Sequence, residues 1–300
     1  MGGLGELAAF ATALGWAVSS YAHGLVGRKV GAAGVTLLRL PFQMTVLGLA
    51  CLALSVDTSL SGRALLFLFL SGAAGVSVSD FMLYKGMTLI GPQRGILLLS
   101  LSAAITASLG WLFLQESLTA QAILGIAVTL AGIATVVGDH GGGILYPGQE
   151  EPLGKTLALG VIMVIAAALF QSISFIFWKA ATREAASPLW ATFVRLLFAA
   201  AILWGMGLFK GWSARAVTDI RTRPDVFRIL LGASLFSAGG MWAAGLAIDM
   251  APAGVAATII GLQPVLVTIL TALLNRRPPS YRVLFGTVIA FTGTALICLR

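Results

Sequence analysis

Two stretches of this sequence decide its fold: LFLQESLTAQAILGIAVTLAG at residues 112–132 and LLNRRPPSYRVLFGTVIAFTG at residues 273–293. A shift of about 161 residues, of the kind that marks an internal repeat, lays the first stretch on the second. The shift also aligns the glycines within them, Gly125 with Gly286 and Gly132 with Gly293. The chain is therefore predicted to consist of two related halves.

The match continues at two further places: Gly91-Pro92 aligns with Ala251-Pro252, and Arg39 in LLRLPF aligns with Arg195 in FVRLLF. The longest connector without apolar continuity lies between the copies and includes three consecutive glycines. No Lys-Ser or Lys-Thr follows these glycines and no strand precedes them, so we interpret them as a linker and not as a phosphate cradle. We predict a first repeat at residues 1–138, a linker at 139–152 and a second repeat at 153–300.

The composition indicates that the solvent around this chain is a lipid bilayer. Of 300 residues, 58% are hydrophobic and 10% are charged, whereas an ordinary soluble domain is roughly 25% charged. The apolar residues form blocks of about 20, the length with which a helix crosses a hydrocarbon layer roughly 30 Å thick. Ten such blocks are predicted as transmembrane helices, near residues 6–26, 35–55, 64–84, 94–114, 120–138, 155–179, 188–209, 227–247, 253–274 and 282–299.

Each half contains an odd number of helices, so the second half must enter the membrane from the opposite side. We therefore predict an all-α integral membrane protein of ten transmembrane helices in two inverted five-helix repeats. Basic residues gather on the connectors after the first, third, seventh and ninth helices: Arg28, Lys29, Lys85, Arg94, Lys210, Arg215, Arg221, Arg223, Arg228, Arg276, Arg277 and Arg282. By the positive-inside rule this face is cytoplasmic, with both termini outside, and we expect a bacterial inner membrane. Arg63, Lys179 and Arg183 lie on the opposite face.

Charge and cysteine content disfavour several other classes of protein. The formal net charge is +8, but the basic residues sit in short connectors and form no continuous patch for nucleic acid. Cys51 and Cys298 lie inside apolar blocks without a neighbouring Cys or His cluster, so neither a disulfide nor a metal site is predicted. An enzyme would need clustered His, Asp or Glu, and a channel would need a filter-like loop. We predict neither, and no cofactor and no catalytic residue.

Residues 111–137, WLFLQESLTAQAILGIAVTLAGIATVV, resemble the signature of the drug/metabolite transporter superfamily of the EamA type. The resemblance covers the whole chain twice, and LGWAVSS at residues 14–20 and Arg39 agree with it. The second copy departs from the pattern, because the position that matches Glu116 is Arg277. The resemblance implies a transporter, in a family whose members move amino acids, nucleotide-linked sugars and cationic drugs.

A transporter of inverted repeats binds its substrate near the midplane, where the halves meet, through inward-facing polar and aromatic groups. The candidates for substrate binding come from five predicted helices: Trp16, Ser19, Tyr21, Asp80, Tyr84, Gln171, Ser174, Trp178, Ser237, Trp242 and Gln263. We expect them to outline one polar but largely uncharged cavity, with rings available for stacking or cation–π contacts.

Four ionisable residues carry alternative interpretations. Asp80 lies within a span, where a charge is costly, so it recognises a substrate amine, couples protons or interacts with Lys85 at the interface. Arg39 and Arg195 either snorkel to the interface as anchors or bind a carboxylate. His23 is interpreted as an interfacial residue near the end of the first helix, with proton transfer as the alternative.

The sequence as a whole predicts a secondary transporter that works by alternating access. Amino-acid export, aromatic and other neutral amino acids included, is the leading hypothesis, because a weakly charged set rich in Ser and Trp suits a zwitterion. Cationic drugs and nucleotide-linked sugars are the alternatives. The predicted partners are a small-molecule substrate and the lipid bilayer, without nucleic acid, and we expect a monomer or a weak dimer.

Overall fold

The computed structural model describes residues 4–114, 120–137, 150, 152–182, 184, 187–250, 259–260, 262–276 and 280–298. Regular structure in these residues is helical, in the order α1 (Leu4–Ala53), α2 (Gly62–Ser71), a π-helical segment (Gly72–Ser79), α3 (Asp80–Ile90), α4 (Pro92–Leu99), α5 (Leu101–Leu114), α6 (Ala120–Val137), α7 (Gly154–Thr182), α8 (Pro188–Phe209), α9 (Trp212–Thr222), α10 (Pro224–Met250), α11 (Gln263–Asn275) and α12 (Tyr281–Cys298). Most of the predicted linker, the start of the predicted ninth span, Glu116, Arg183 and Arg277 lie outside the described residues.

Five helical stretches are long and apolar enough to cross a membrane: Leu7–Ala53, Gly62–Ile90, Gly154–Trp178, Leu189–Phe209 and Pro224–Ala244. The shortest of them have 21 residues, which at 1.5 Å per residue match a hydrocarbon core about 30 Å thick. Shorter apolar helices lie within the predicted fourth, fifth and tenth spans, at Arg94–Thr106, Ile123–Thr135 and Tyr281–Gly293. The chain is thus a multi-pass membrane protein.

The first two predicted spans follow each other without a loop in α1, which has 50 residues and a kink at Gly31. A straight helix of this length would extend about 75 Å, more than twice the thickness of the hydrocarbon core. Gly31 breaks α1 with φ 76° and ψ 164°, a conformation that residues with a Cβ rarely adopt. The helix therefore consists of a first arm, residues 4–30, and a second arm, residues 32–53, without a loop between them.

The third predicted span is longer than its predicted boundary. Helix α2, the π-helical segment and α3 follow one another from Gly62 to Ile90, whereas the prediction ends at residue 84. Lys85 does not end the helix. Its side chain is exposed, and the helix continues for five more residues to Ile90, before Gly91 with φ 88°. Asp80 consequently lies about three turns from the end of the helix, not one.

A basic connector predicted after the seventh span contains a helix, α9, of 11 residues. Its first residue, Trp212, stacks on Phe81 of α3 with ring centroids 6.0 Å apart, and the Lys210 ammonium lies 4.9 Å from the centre of the Trp212 ring. Two further residues of α9, Ser213 and Ala216, are buried. This helix was missed because its sequence, WSARAVTDIRT, is too polar and too short for a membrane span.

The first arm of α1 packs along α10 and runs in the opposite direction. Ala9 clusters with Ala247 near the end of α10, and Lys29 forms an ion pair with Asp225 at the start of α10. Arg223, just before α10, donates a hydrogen bond to the Lys29 carbonyl at 3.0 Å. The connectors that follow the first and seventh predicted spans therefore lie at the same end of the molecule.

Helix α7, the first span of the second half, runs in the direction opposite to the first arm of α1. Gly160, near its start, packs against Ile90 at the end of α3. The same end of α3 meets the first arm, because a Cβ on Gly27 would lie 3.3 Å from Thr88 Cγ2. Helix α7 thus begins at the end of the molecule where the first arm finishes.

The glycines aligned by the repeat meet where α6 packs against α12. A Cβ on Gly132 would lie 2.7 Å from the Gly286 carbonyl oxygen, and a Cβ on Gly293 would lie 2.7 Å from the Gly125 carbonyl oxygen. Gly125 precedes Gly132 along α6, but their partners follow in the reverse order along α12, so these helices run antiparallel. Small residues permit such close approach between membrane helices.

Candidate functional site

The π-helical segment lets α8 approach the part of the chain that carries Asp80. The backbone N–H of Asp80 bonds to the Gly75 carbonyl five residues earlier, the pattern of a π-bulge, which is frequent at functional sites. A Cβ on Gly72 would lie 2.5 Å from the Arg195 carbonyl oxygen, and a Cβ on Gly75 would lie 2.6 Å from Arg195 Nη2. The two glycines therefore make room for the backbone and the guanidinium of Arg195.

Arg39, in the second arm of α1, forms an ion pair with Asp80. The Arg39 side chain is 2% exposed and that of Asp80 is 20% exposed. Arg39 Nη1 also donates to Gln43 Oε1 at 3.1 Å, and Gln43 Nε2 in turn donates to Ser237 Oγ. These bonds join the second arm of α1 to α3 and α10.

Tyr84, one turn after Asp80, extends this network to the first arm of α1. Its hydroxyl lies 3.1 Å from His23 Nδ1, and the two rings meet edge to face with centroids 5.5 Å apart. The Arg39 guanidinium lies 5.4 Å from the centre of the Tyr84 ring, within cation–π range. We call this set, His23, Arg39, Gln43, Asp80, Tyr84 and Ser237, the Arg39 cluster.

Arg195, in α8, is the centre of a second group. Its Nη2 donates to Ser174 Oγ at 2.8 Å, and its guanidinium lies 5.8 Å from the centre of the Trp178 ring. Ser174 Oγ lies 2.8 Å from the Ser71 carbonyl oxygen, and Ser71 Oγ lies 2.9 Å from that of Ser174. Arg195 is thus held where α2, α7 and α8 meet, and we call Ser71, Ser174, Trp178 and Arg195 the Arg195 cluster.

The two clusters together carry an excess of positive charge. Asp80 pairs with Arg39, whereas Arg195 has no ion pair among the described residues, so the two clusters contain two guanidiniums and one carboxyl group. Four buried nitrogens of the two clusters have no hydrogen-bond partner within the part of the chain that the structure describes: Arg39 Nε, Arg195 Nε, Trp178 Nε1 and His23 Nε2. Charge and unused donors at membrane depth are both costly unless a ligand meets them.

Several of the predicted substrate-binding residues belong to these clusters: Asp80, Tyr84, Ser174, Trp178 and Ser237. Asp80 and Tyr84 belong to the first half of the sequence, and Ser174, Trp178 and Ser237 belong to the second, so the clusters form where the two halves contact each other. Trp178 is further held by Phe175, whose ring meets it edge to face at 5.9 Å.

Other predicted residues lie at a separate crossing of α1 with α10 and α11. A Cβ on Gly240 would lie 2.7 Å from Trp16 Cδ1, so the indole of Trp16 covers this glycine. The buried Ser19 hydroxyl donates to the Trp16 carbonyl at 3.2 Å. Gln263 Nε2 donates to Ser20 Oγ at 3.4 Å and ties α11 to the first arm.

The remaining candidates differ in burial: Tyr21 is buried, Gln171 is half-buried and Trp242 is exposed. The contribution of all eleven candidates to substrate binding stays a prediction. The candidates predicted to line one cavity thus lie in more than one polar region of the described residues.

The ionisable residues lie deeper than the sequence boundaries predicted. Arg39 and Arg195 are 2% and 9% exposed, so neither snorkels to an interface. His23 is buried and not interfacial. Asp80 pairs with Arg39 and not with Lys85, which is exposed. These clusters carry charge, unlike the largely uncharged cavity that the sequence predicts, because Arg39 and Arg195 face other helices of the bundle and not a membrane interface.

The substrate-binding prediction omitted Arg39, Arg195, His23, Gln43 and Ser71. A signal for the first two was present, because the repeat places an arginine at the same position in both halves. A charged side chain within a membrane segment is costly in contact with lipid, so an arginine present at the same position in both repeats is expected to face the interior of the bundle.

These features define a class: a multi-pass helical membrane protein, built from a duplicated sequence, with a buried charged site between its helices. The family model of the EamA-like transporter family matches residues 3–138 and again residues 158–299. The chain therefore belongs to the EamA-like transporter family, which confirms the resemblance to the drug/metabolite transporter superfamily. Membership makes it a membrane transporter of small molecules.

One solved structure, described only as "Crystal structure of protein", shares this fold. It has 18% sequence identity and a TM-score of 0.65, and the match covers 98% of this chain and 96% of that chain. At this identity the likeness concerns the fold alone. A comparison with curated proteins gave no match.

Proposed function

We propose that the protein is a secondary transporter that exports amino acids, aromatic and other neutral ones included, by alternating access. The observation that carries this proposal is the buried pair of clusters around Arg39 and Arg195, which combine a carboxylate, guanidiniums and aromatic rings. A zwitterion needs partners of both charges, and its side chain needs apolar or aromatic surface. The guanidiniums suit a carboxylate, and Asp80, which pairs with Arg39 through one carboxyl oxygen and is 20% exposed, keeps its other oxygen for an ammonium group.

Residues of both halves contribute to these clusters. Gln43 of the first half bonds to Ser237 of the second, and Ser71 of the first bonds to Ser174 of the second. In transporters with inverted repeats, the substrate site lies between the repeats, and rocking of one against the other opens it to each side in turn. These cross-half hydrogen bonds would have to break and re-form during such a motion.

The proposal includes ten transmembrane helices in two inverted repeats, a bacterial inner membrane and termini on its outer side. The opposite directions of α7 and the first arm of α1 support the inversion, as does the antiparallel contact of α6 with α12. A reporter fused after Arg300 tests the orientation. We expect a periplasmic signal, and a cytoplasmic signal would contradict the proposed topology.

Transport into proteoliposomes tests the substrate class. Vesicles with the purified protein are supplied with labelled neutral and aromatic amino acids, with and without a pH gradient, beside protein-free vesicles. We expect saturable accumulation of at least one amino acid. If none accumulates while a quaternary amine or a nucleotide-linked sugar does, the amino-acid assignment fails. The excess of buried positive charge argues against the quaternary amine.

A further inference from the structure

We propose that Arg195 and Trp178 form a subsite that binds an anionic group of the substrate, specifically the carboxylate of the transported amino acid. The choice of an amino acid rests on the proposed function. The preference for an anion rests on the Arg195 cluster alone, so the two can be tested separately.

The first argument is the charge of the partners of Arg195. Within the described residues, Arg195 forms no ion pair and its hydrogen-bond partner is the Ser174 hydroxyl. That hydroxyl has one proton, which it can direct to the Ser71 carbonyl at 2.8 Å while its lone pairs face the guanidinium. Ser174 therefore positions Arg195 but does not neutralise it.

Asp80 does not supply the missing charge, because it is already engaged. Its carboxylate pairs with Arg39, and its attraction to Arg195 acts without an ion pair. A guanidinium that is 9% exposed in a membrane-spanning bundle requires a counter-charge to offset its desolvation. The structure leaves that role to a ligand.

The second argument is the type of the unused hydrogen-bonding groups. Arg195 Nε and Trp178 Nε1 are buried and without a partner in the described part of the chain. A guanidinium and an indole N–H can only donate. A single ligand group that met both donors would therefore have to be an acceptor, and a carboxylate provides two oxygens in the geometry that a guanidinium fork recognises.

The third argument is that this donor set is fixed in place before a ligand arrives. Ser174 holds one edge of the guanidinium, the Trp178 ring lies 5.8 Å from it, and Phe175 holds that ring edge to face. Gly75 leaves the space that Arg195 Nη2 occupies. A donor set ordered in advance binds more tightly, because less conformational entropy is lost on binding.

Binding to the purified full-length protein in detergent tests the subsite with three probes that share one ring. L-Phenylalanine has both charged groups, 3-phenylpropionate keeps only the carboxylate, and phenethylamine keeps only the amine. Affinities are measured by the ligand-dependent rise in Tm for the wild type, Arg195→Gln and Arg195→Lys. Arg215→Gln in the exposed part of α9 is the matched control, because it removes the same charge away from the clusters.

We expect Arg195→Gln to weaken phenylalanine and 3-phenylpropionate by about tenfold or more, the loss for a charge-assisted hydrogen bond, and phenethylamine by less than about twofold. Arg195→Lys should recover part of the carboxylate affinity, because it restores charge without the planar fork. Arg215→Gln should behave as the wild type.

Three results would overturn the subsite. The first is an equal loss for all three probes in Arg195→Gln, which would make Arg195 a structural residue. The second is a wild type that binds neither carboxylate. The third is binding of inorganic phosphate, but of no carboxylate, that depends on Arg195.

The proposed function fails independently of this subsite. If carboxylates bind in an Arg195-dependent manner but no amino acid enters proteoliposomes, the anionic subsite stands and the amino-acid export does not. If amino acids are transported equally well by the wild type and by Arg195→Gln, the reverse holds.

Discussion

Arg39 and Arg195 occupy equivalent positions in the two halves of the chain, and they differ in what neutralises them. Both are buried, and each lies over an aromatic ring, Tyr84 at 5.4 Å or Trp178 at 5.8 Å. Arg39 has a carboxylate partner in Asp80, whereas Arg195 bonds to a serine hydroxyl. Among the described residues, Arg39 is thus ion-paired and Arg195 is not.

This difference separates a structural role from a binding role at two positions that the repeat makes equivalent. A buried ion pair holds its helices in a fixed arrangement, and breaking it leaves a charge without compensation. A buried cation with only a neutral partner has already incurred the desolvation cost, so an anion gains full benefit by binding to it. The comparison therefore predicts that the two arginines respond differently to substitution.

The largest effect is expected for Asp80→Ala. It leaves Arg39 as an uncompensated buried charge, which costs about 3–5 kcal/mol of stability. Arg195→Gln should cost clearly less, because it removes a charge that had no ionic partner. Unfolding of the purified protein in detergent, by heat or by denaturant, measures both losses.

The double variant Arg39→Gln/Asp80→Asn is the control for this prediction. It removes both charges and should be more stable than Asp80→Ala alone. Equal destabilisation by Asp80→Ala and Arg195→Gln would show that the two guanidiniums are compensated alike, and the comparison would fail.

The next effect concerns the space around Arg195. Gly75→Ala places a methyl group 2.3 Å from Ser174 Oγ and 2.6 Å from Arg195 Nη2, so the hydrogen bond between these two groups must shift. A displaced guanidinium should bind 3-phenylpropionate about tenfold more weakly. Gly239→Ala is the matched control, because an added Cβ there has no described atom within 4 Å. The measurement is the ligand-dependent shift of Tm. Similar affinities for the two variants would contradict the position of Arg195 in the subsite.

The sequence was sufficient to predict the membrane class, the duplication and the transport family, because those depend on repeated apolar blocks and on a local motif. The aligned glycines Gly132 and Gly286 even contact each other across α6 and α12. Such features survive in a linear pattern, since hydropathy and small residues need no knowledge of which helices are neighbours.

The charged site could be predicted only in part, because its pairs join residues that are distant in sequence. An interaction with Lys85, which is near in the chain, was one of three interpretations of Asp80, but its partner is Arg39 on another helix. The π-helical segment, which brings Gly75 against Arg195, has no signature in the composition of residues 72–79. Contacts of this kind depend on helix rotation and register, which apolar blocks do not specify.

An effect of similar size is expected at the contact where the two halves are alike. Gly132→Ala and Gly293→Ala each place a Cβ against the backbone of the facing helix, about 2.7 Å from a carbonyl oxygen. Each should lower stability by about 1–3 kcal/mol, and the two losses should agree because the contacts are reciprocal. Gly232→Ala, with open space at the Cβ position among the described atoms, is the control for helix propensity alone. Unequal losses for the two glycines would contradict the equivalence of α6 and α12.

The smallest effect is expected for substitutions of the two aromatic residues whose rings lie beside the arginines. Tyr84→Phe keeps the ring under Arg39 and removes only the hydroxyl bonded to His23 at 3.1 Å, so we expect a loss of about 1 kcal/mol in unfolding free energy. Trp178→Phe likewise keeps a ring beneath Arg195 but removes a donor that has no partner among the described residues. Stability should therefore fall for Tyr84→Phe, whereas for Trp178→Phe the affinity for 3-phenylpropionate should fall more than the affinity for phenethylamine. If Trp178→Phe weakened both probes to the same extent, its indole N–H would not belong to an anion subsite, and the Arg195 guanidinium would have to bind the carboxylate alone.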